Sequence, residues 1–312
     1  MPTGLAYLIV VLVWATTPLA IKWSAEALPP VMAAGLRMAL AVLIGLPWLW
    51  LLGERLQWHK RALLSYGAAL PGVFGAMAFT YLASRHVPSG LISVVFGLAP
   101  LFSGLFMQFG PTPVRLNLFH WAGCALGVAG LAVVFAPSLG GQGEGQLLVG
   151  LALLLTAVLG FSVSGIMVKQ VAAGLHPLTH TLGALTLSLP LYLGFSVLLG
   201  ERLELGERVE GFYAIVYLAV CGSLIGFVSY FLVLSRLSAA TVALITLITP
   251  VLALLLGWAF NGEALSWRVL AGALVIISAL GLYFFGDRRV RRVALSRLET
   301  GRRGQLADVS SH

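Results

Sequence analysis

The chain has 312 residues, of which 59% are hydrophobic and 10% charged, with a formal net charge of +8. A soluble domain carries roughly 25% charged residues, and no soluble core absorbs a mean hydropathy of +0.98, so the solvent of this chain is a lipid bilayer. Its two cysteines, Cys124 and Cys221, lie in apolar spans of different halves; they read as small buried hydrophobes, not as a disulfide or a metal pair.

Apolar stretches of about twenty residues recur along the chain, enough for an α-helix to cross ~30 Å of hydrocarbon at ~1.5 Å per residue. They predict ten transmembrane helices, at about 4–23, 30–52, 62–84, 88–109, 118–136, 147–168, 177–199, 211–234, 239–260 and 268–286. Hydrocarbon offers no partner to backbone N–H and C=O groups, so spans must be helices, and the alternation of a barrel strand is absent. The first stretch shows no small-residue cleavage site followed by polar sequence, and reads as a span.

Arg37 falls about eight residues into the second span, where a charge is costly; it marks either substrate contact or a snorkelling lock onto neighbouring carbonyls. Lys22 and Lys169 stand at span ends, where snorkelling explains them. Pro100 and Pro250 each remove a mid-span hydrogen bond in the fourth and ninth helices; they read as kinks that shape a central cavity, or as ordinary membrane prolines. Gly123, Gly127 and Gly130 in the fifth helix, with Gly272 and Gly281 in the tenth, suit close packing seams, within the chain or between subunits. The Gly-rich segment Pro137–Gln146 is a linker, and the tail from Asp287, with Arg288-Arg289-Val290-Arg291-Arg292, suits anionic lipid headgroups and implies no nucleic acid.

The two halves repeat. Leu51-Leu52-Gly53-Glu54-Arg55-Leu56 returns as Leu198-Leu199-Gly200-Glu201-Arg202-Leu203, an offset of 147, and Pro100 returns as Pro250. Chance self-alignment of Leu/Gly-rich sequence does not account for the charged Glu-Arg pair. With the N-terminus in the cytoplasm, inner segments hold thirteen Lys and Arg residues against five outside, counted over the span limits above. Both termini are then cytoplasmic. Because five is odd, the second half is inverted relative to the first, an architecture of secondary transporters. The expected fold is therefore an all-α integral membrane protein of ten helices in two inverted five-helix repeats: residues 1–136, a linker 137–146, residues 147–286, and a basic tail 287–312.

Arg236-Leu237-Ser238-Ala239-Ala240, Pro250, Gly262-Glu263-x-Leu265, Gly272 and Gly281 resemble the second-repeat ending of the EamA-type drug/metabolite transporters. The first half resembles that family's first repeat through Arg37, Ser89-Gly90, Pro100 and Gly123, and departs from it where Gly110-Pro111-Thr112-Pro113 replaces the Gly-Glu-x-Leu turn. The resemblance implies a ten-helix carrier exporting amino acids, other small metabolites or drugs from the cytoplasm, in a bacterial inner membrane.

Trp14, Tyr81, Phe96, Tyr230 and Thr246 place rings and a hydroxyl inside five different spans; together they suit an apolar cage with a few orienting groups, and singly they suit plain packing. His180, one turn into the seventh helix, could titrate near neutral pH or serve as a hydrogen-bonded bundle residue. No HExxH helix or P-loop occurs, and Gly160–Gly165 lacks nucleophile-elbow spacing. An enzyme is not expected, nor a cofactor or metal. The expected partners are a small-molecule substrate and the bilayer, with the chain as monomer or homodimer. A channel-like facilitator, or an intramembrane sensor or enzyme, are the alternatives. No Asp or Glu falls inside any expected span, so proton coupling through a buried carboxylate is not expected. The positive residues instead suggest a cargo with a carboxylate or other anionic group and an apolar body.

Overall fold

The computed structural model describes residues 1–109, 116–135, 144–171, 173–203, 209–237 and 239–286. Arg115, the Pro111–Pro113 turn, most of the expected linker, Arg208, Ser238 and the basic tail lie outside the described residues. Among those described there is no strand; eight helices are long and apolar enough to cross a membrane, and two shorter apolar helices accompany them. In chain order they are α1 (Thr3–Ala27), α2 (Pro30–Leu51), α3 (Lys60–Ala83), α4 (Ser89–Met107), α5 (Leu118–Phe135), α6 (Glu144–Val171), α7 (Pro177–Leu198), α8 (Val209–Arg236), α9 (Ala239–Asn261) and α10 (Trp267–Gly286). The chain is thus an all-helical, multi-pass membrane protein.

Residue distribution follows the solvent. Outward faces carry bare apolar side chains such as Leu43, Trp50, Leu193, Val197, Trp258 and Leu274. The interior packs aliphatic side chains together with many alanines and buried serine and threonine hydroxyls. Association in lipid cannot draw on a hydrophobic difference between inside and outside, so close backbone approach and hydrogen bonds supply the attraction. The α5–α10 seam shows this: a Cβ on Gly272 would fall 2.9 Å from the Gly130 carbonyl oxygen, and one on Gly123 would fall 2.9 Å from that of Ala279. Gly130 and Gly272 therefore pack against each other within one chain, while Gly281 has open space around it.

Helices α2 and α7 pack antiparallel. Gly35 approaches Tyr192, and Gly45 approaches Leu182. Both helices begin with proline and end in the same turn: Gly53 and Gly200 take positive φ, 73° and 66°. Glu54 and Glu201 return their amides to the carbonyls of Leu49 and Ser196, at 3.2 and 3.0 Å. Glycine is needed there because that left-handed backbone closes a helix end at little cost.

Three helices depart from regular α geometry. In α3 a π-turn spans Pro71–Ala76, and in α8 another spans Leu218–Ile225. In α4 the ladder breaks at Gly97–Leu98, two residues before Pro100. Neighbouring hydroxyls meet the carbonyls around the α3 turn: Ser164 Oγ donates to Ala68 O at 3.0 Å, and the Tyr192 hydroxyl donates to Val73 O at 2.7 Å. Helix α9, by contrast, continues through Pro250.

Helix ends are closed across the molecule by two carboxylates. Glu201 accepts from the amides of Val31 and Met32, at 3.0 and 2.9 Å, and from Ser196 Oγ at 2.9 Å. Glu263 accepts from the amides of Ser89 and Gly90, at 2.8 and 3.2 Å, and from the Asn261 side-chain amide at 2.9 Å. Each carboxylate sits on the positive end of a helix whose own N-cap is a proline with no side-chain acceptor.

Overpacking the seam should be costly. Gly272→Val forces its Cβ onto the α5 backbone and should lower stability by about 1–3 kcal/mol. Gly281→Ala should be neutral or stabilising. Thermal unfolding of the two purified variants in detergent measures the difference.

Candidate functional site

A cavity lies between α1, α2, α3, α4, α6, α8 and α9. Its walls are Trp14, Thr17, Pro18 and Ile21 from α1, Arg37 from α2, and Met77 and Thr80 from α3. From α4 come Ile92, Ser93 and Phe96, with Phe161 from α6, Gly222 and Phe227 from α8, and Thr246 and Thr249 from α9. The lining is apolar and aromatic, dotted with hydroxyls, and among these residues Arg37 alone is charged.

Arg37 is held in place by α8. Its side chain is 1% exposed. Nε donates to Ser223 Oγ at 2.9 Å, while Nη1 is buried and meets no acceptor among the described residues. Gly222 makes the room: a Cβ there would lie 2.8 Å from Nη2. Both Gly222 and Ser223 belong to the π-turn of α8. Such turns change which residues face a neighbour and recur at functional sites. A guanidinium this deep needs a counter-group, because burying a charge without one is costly.

Two prolines bear on the cavity wall. Proline has no amide hydrogen to return to the carbonyl four residues earlier. Pro18 therefore cannot close on Trp14, and Pro100 cannot close on Phe96, and both of those residues line the cavity. Thr17 Oγ1 donates at 2.6 Å to Val13 O, a side-chain bond that also bends helices.

On one side the cavity is floored by a cluster of packed rings. Trp14 and Phe161 meet edge to face at 5.7 Å between centroids, while the pairs Trp14–Tyr230 at 5.0 Å and Tyr230–Phe231 at 5.4 Å are tilted. His180 lies further along, its ring 4.3 Å from that of Phe231, with a ring nitrogen 3.2 Å from Ser65 O. Lys22 donates to Val87 O at 3.1 Å and Trp23 Nε1 donates to Asn261 at 2.9 Å, both on the far side of Thr17 and Ile21 along α1.

The structure thus brings Trp14, Arg37, Phe96 and Thr246 together on one cavity. Tyr230 stands in the ring cluster beneath it and lines a smaller recess beside Gly72 and Ser164. Tyr81 is fully buried, its hydroxyl without an acceptor among the described residues, and away from the cavity lining. His180 is also outside that lining. Pro100 follows the break in α4, and Pro250 adjoins Thr249 on the cavity wall. Thr17, Thr80, Ser93, Phe161 and Gly222 were not singled out by sequence reasoning; hydroxyls and a further mid-span proline, Pro18, were the available signal. Among the described residues, no group of His, Cys, Asp and Glu is arranged to hold a metal.

Comparison with known proteins gives a consistent picture. The model of the EamA-like transporter family matches residues 2–136 and 148–285. The uncharacterized inner membrane transporter YedA of Escherichia coli (strain K12) is 29% identical over 289 residues, 89% of this chain and 91% of the relative. A probable amino-acid metabolite efflux pump of Salmonella typhimurium (strain LT2) is 29% identical over 300 residues, covering 93% of this chain and 97% of the relative. A solved crystal structure, 22% identical, superposes with a TM-score of 0.67 over 92% of this chain and 98% of its own. That likeness establishes a shared fold.

Removing the hydroxyl that holds Arg37 should be felt in the folded state. Ser223→Ala leaves Nε without its partner and should cost about 1.5–3 kcal/mol, the range for a hydrogen bond to a charged group. Chemical or thermal unfolding of the purified variant, with Ser235→Ala as the partly buried comparison, checks it.

Proposed function

We propose a transport mechanism from one premise: this chain belongs to the EamA-like transporter family. It is a secondary carrier that exports amino-acid-like metabolites by alternating access. Ten spanning helices form two inverted repeats, residues 1–136 and 147–286, joined by the linker 137–146 and followed by a cytoplasmic tail 287–312. It resides in a bacterial inner membrane with both termini in the cytoplasm, as monomer or homodimer. The matched ends of α2 and α7 and the charge bias of the loops support this layout. Relatives named as transporters and efflux pumps support the activity and its direction, and argue against an enzyme.

The observation that carries the cargo class is Arg37. Its guanidinium lines the cavity with Nη1 unpartnered, and no acidic side chain is among the lining residues. A cargo carboxylate supplies the missing counter-charge, and the guanidinium fork suits it in two-point contact. The cargo ammonium is met without a protein carboxylate. The ring faces of Trp14, Phe96 and Phe161 attract a cation, and the hydroxyls of Thr17, Thr80, Ser93 and Thr249 accept its hydrogens. The carbonyls of Trp14 and Phe96, released by Pro18 and Pro100, add acceptors of the kind interrupted helices give in other carriers. Thr246 and the Tyr230 ring complete the enclosure, and Pro100 and Pro250 give α4 and α9 their freedom to bend.

The test is counterflow of a labelled neutral amino acid in proteoliposomes, which a carrier accelerates and a channel does not. Arg37→Gln should reduce exchange about 10- to 100-fold, the loss of a charge-assisted contact, and Arg37→Lys should restore part of it. A folded protein that exchanges no zwitterionic amino acid would overturn the reading.

Energy coupling is expected to be weak. The expected spans hold no acidic residue, and His180 stands away from the cavity on the carbonyl of Ser65. The cargo should equilibrate along its own gradient, or couple to protons only through His180 or a tyrosine. Uptake with and without an imposed pH gradient, in the parent and in His180→Ala, decides it. Strong pH-driven accumulation in both would sink the expectation.

A further inference from the structure

The two repeats match in sequence and in turn geometry, yet they differ in one set of hydrogen bonds. Glu201, after α7, accepts from the second and third residues of α2, Val31 and Met32. At the offset of 147 that relates Pro30–Leu51 to Pro177–Leu198, the counterpart of Glu201 is Glu54, and the counterparts of Val31 and Met32 are Leu178 and Thr179. No hydrogen bond or ion pair joins the Glu54 carboxylate to any described residue, although its backbone turn repeats that of Glu201.

The helix end opposite Glu54 is correspondingly bare. Helix α7 has His176 at its N-cap, whose side chain makes no cap hydrogen bond, and Pro177 follows. The amides of Leu178 and Thr179 find no acceptor among the described residues. Leu178 is 1% exposed and Thr179 is fully buried, and Thr179 Oγ1 has no hydrogen-bond partner among the described residues. Two buried amides and a buried hydroxyl left open at one helix start ask for an explanation.

The register supplies the acceptor. Gly35 meets Tyr192 and Gly45 meets Leu182, so moving along α2 by ten residues moves back along α7 by ten. Continued to its end, that register brings the turn after α2 to the start of α7, as it brings the turn after α7 to the start of α2. The hydroxyl also has a counterpart in kind: Ser196 Oγ donates to Glu201 in the occupied cap, and Thr179 Oγ1 is a donor left open at the start of α7 among the described residues.

We propose that Glu54 is a positioning residue for transport: it caps α7 through Leu178, Thr179 and the Thr179 hydroxyl in the alternative conformation, in which Glu201 releases α2. The proposal rests on the alternating-access reading, because inverted repeats change access by exchanging conformations. What one repeat does in one state, the other does in the next. The two caps are then the two ends of one equilibrium, each worth the contribution of a charged helix cap.

The experiment measures access to the cavity from both sides of the membrane. In a protein lacking Cys124 and Cys221, a single cysteine replacing Ser93 is labelled with a membrane-impermeant maleimide in right-side-out and inside-out vesicles. The parent should react from both sides. Glu54→Gln should slow labelling from one side about fivefold to tenfold, and Glu201→Gln should slow it from the opposite side, by the size of a lost cap. Thr179→Val, which changes no charge, should act in the same direction as Glu54→Gln and add nothing to it; Thr179→Ser should behave as the parent. Folded variants are identified by size exclusion before labelling, so a misfolded Glu54→Gln is replaced by Thr179→Val as the deciding arm. A parent labelled from one side only overturns alternating access itself. Labelling from both sides that Glu54→Gln and Thr179→Val leave unchanged, or shift in the same direction as Glu201→Gln, overturns the cap alone.

Discussion

In hydrocarbon, a backbone amide or carbonyl that leaves a helical ladder has no water to turn to, and each such group costs several kcal/mol if left alone. Much of this structure answers that constraint. Carboxylates from distant loops close the starts of α2 and α4. Ser164 and Tyr192 meet the carbonyls around the π-turn of α3. Lys22 reaches the carbonyls at the end of that helix. These bonds also connect elements far apart in sequence, so the groups that keep the backbone satisfied are the ones that hold the bundle together.

The cavity exists where the same constraint is relaxed in a controlled way. Pro18 and Pro100 withdraw hydrogens from the ladders of α1 and α4, and the π-turn of α8 presents Gly222 and Ser223 to α2. A regular bundle of apolar helices would pack shut. Interrupting the helices opens space and exposes polar backbone to it, which is where a charged side chain such as Arg37 is tolerable. The glycine seam between α5 and α10 stands outside this region and holds its helices at close range.

How much of this was legible in the sequence depends on the range of the interaction. Length and apolarity govern span formation, and they are local, so most helices appear near the expected positions, with α1 running on to Ala27. Arg37 stood out because a charge in a span is costly and rare; Trp14 and Phe96 were candidates only together with Tyr81, Tyr230 and Thr246. Thr80, Ser93 and Phe161 did not stand out, since a single hydroxyl or ring in an apolar helix carries no mark of which face it occupies. His180 stood out as a titratable ring and Tyr81 as a ring with a hydroxyl within a span; helix rotation, which depends on packing partners, leaves both buried outside the cavity lining. The cross-repeat roles of Glu201 and Glu263 were hidden because each acts on a helix more than 160 residues away in sequence.

Arg37 has no twin. The position 147 residues later on α7 is Ala184, so a scaffold with near-matching halves encloses a cavity with one charged wall. A symmetric container would let a bipolar solute sit either way round. For the proposed cargo this one would impose a heading: the acidic end would stay with Arg37 on α2 while the rest of the bundle rearranges about it. Such a solute would cross without turning over, and discrimination would fall on whatever group trails behind its carboxylate toward the rings of Trp14, Phe96 and Phe161.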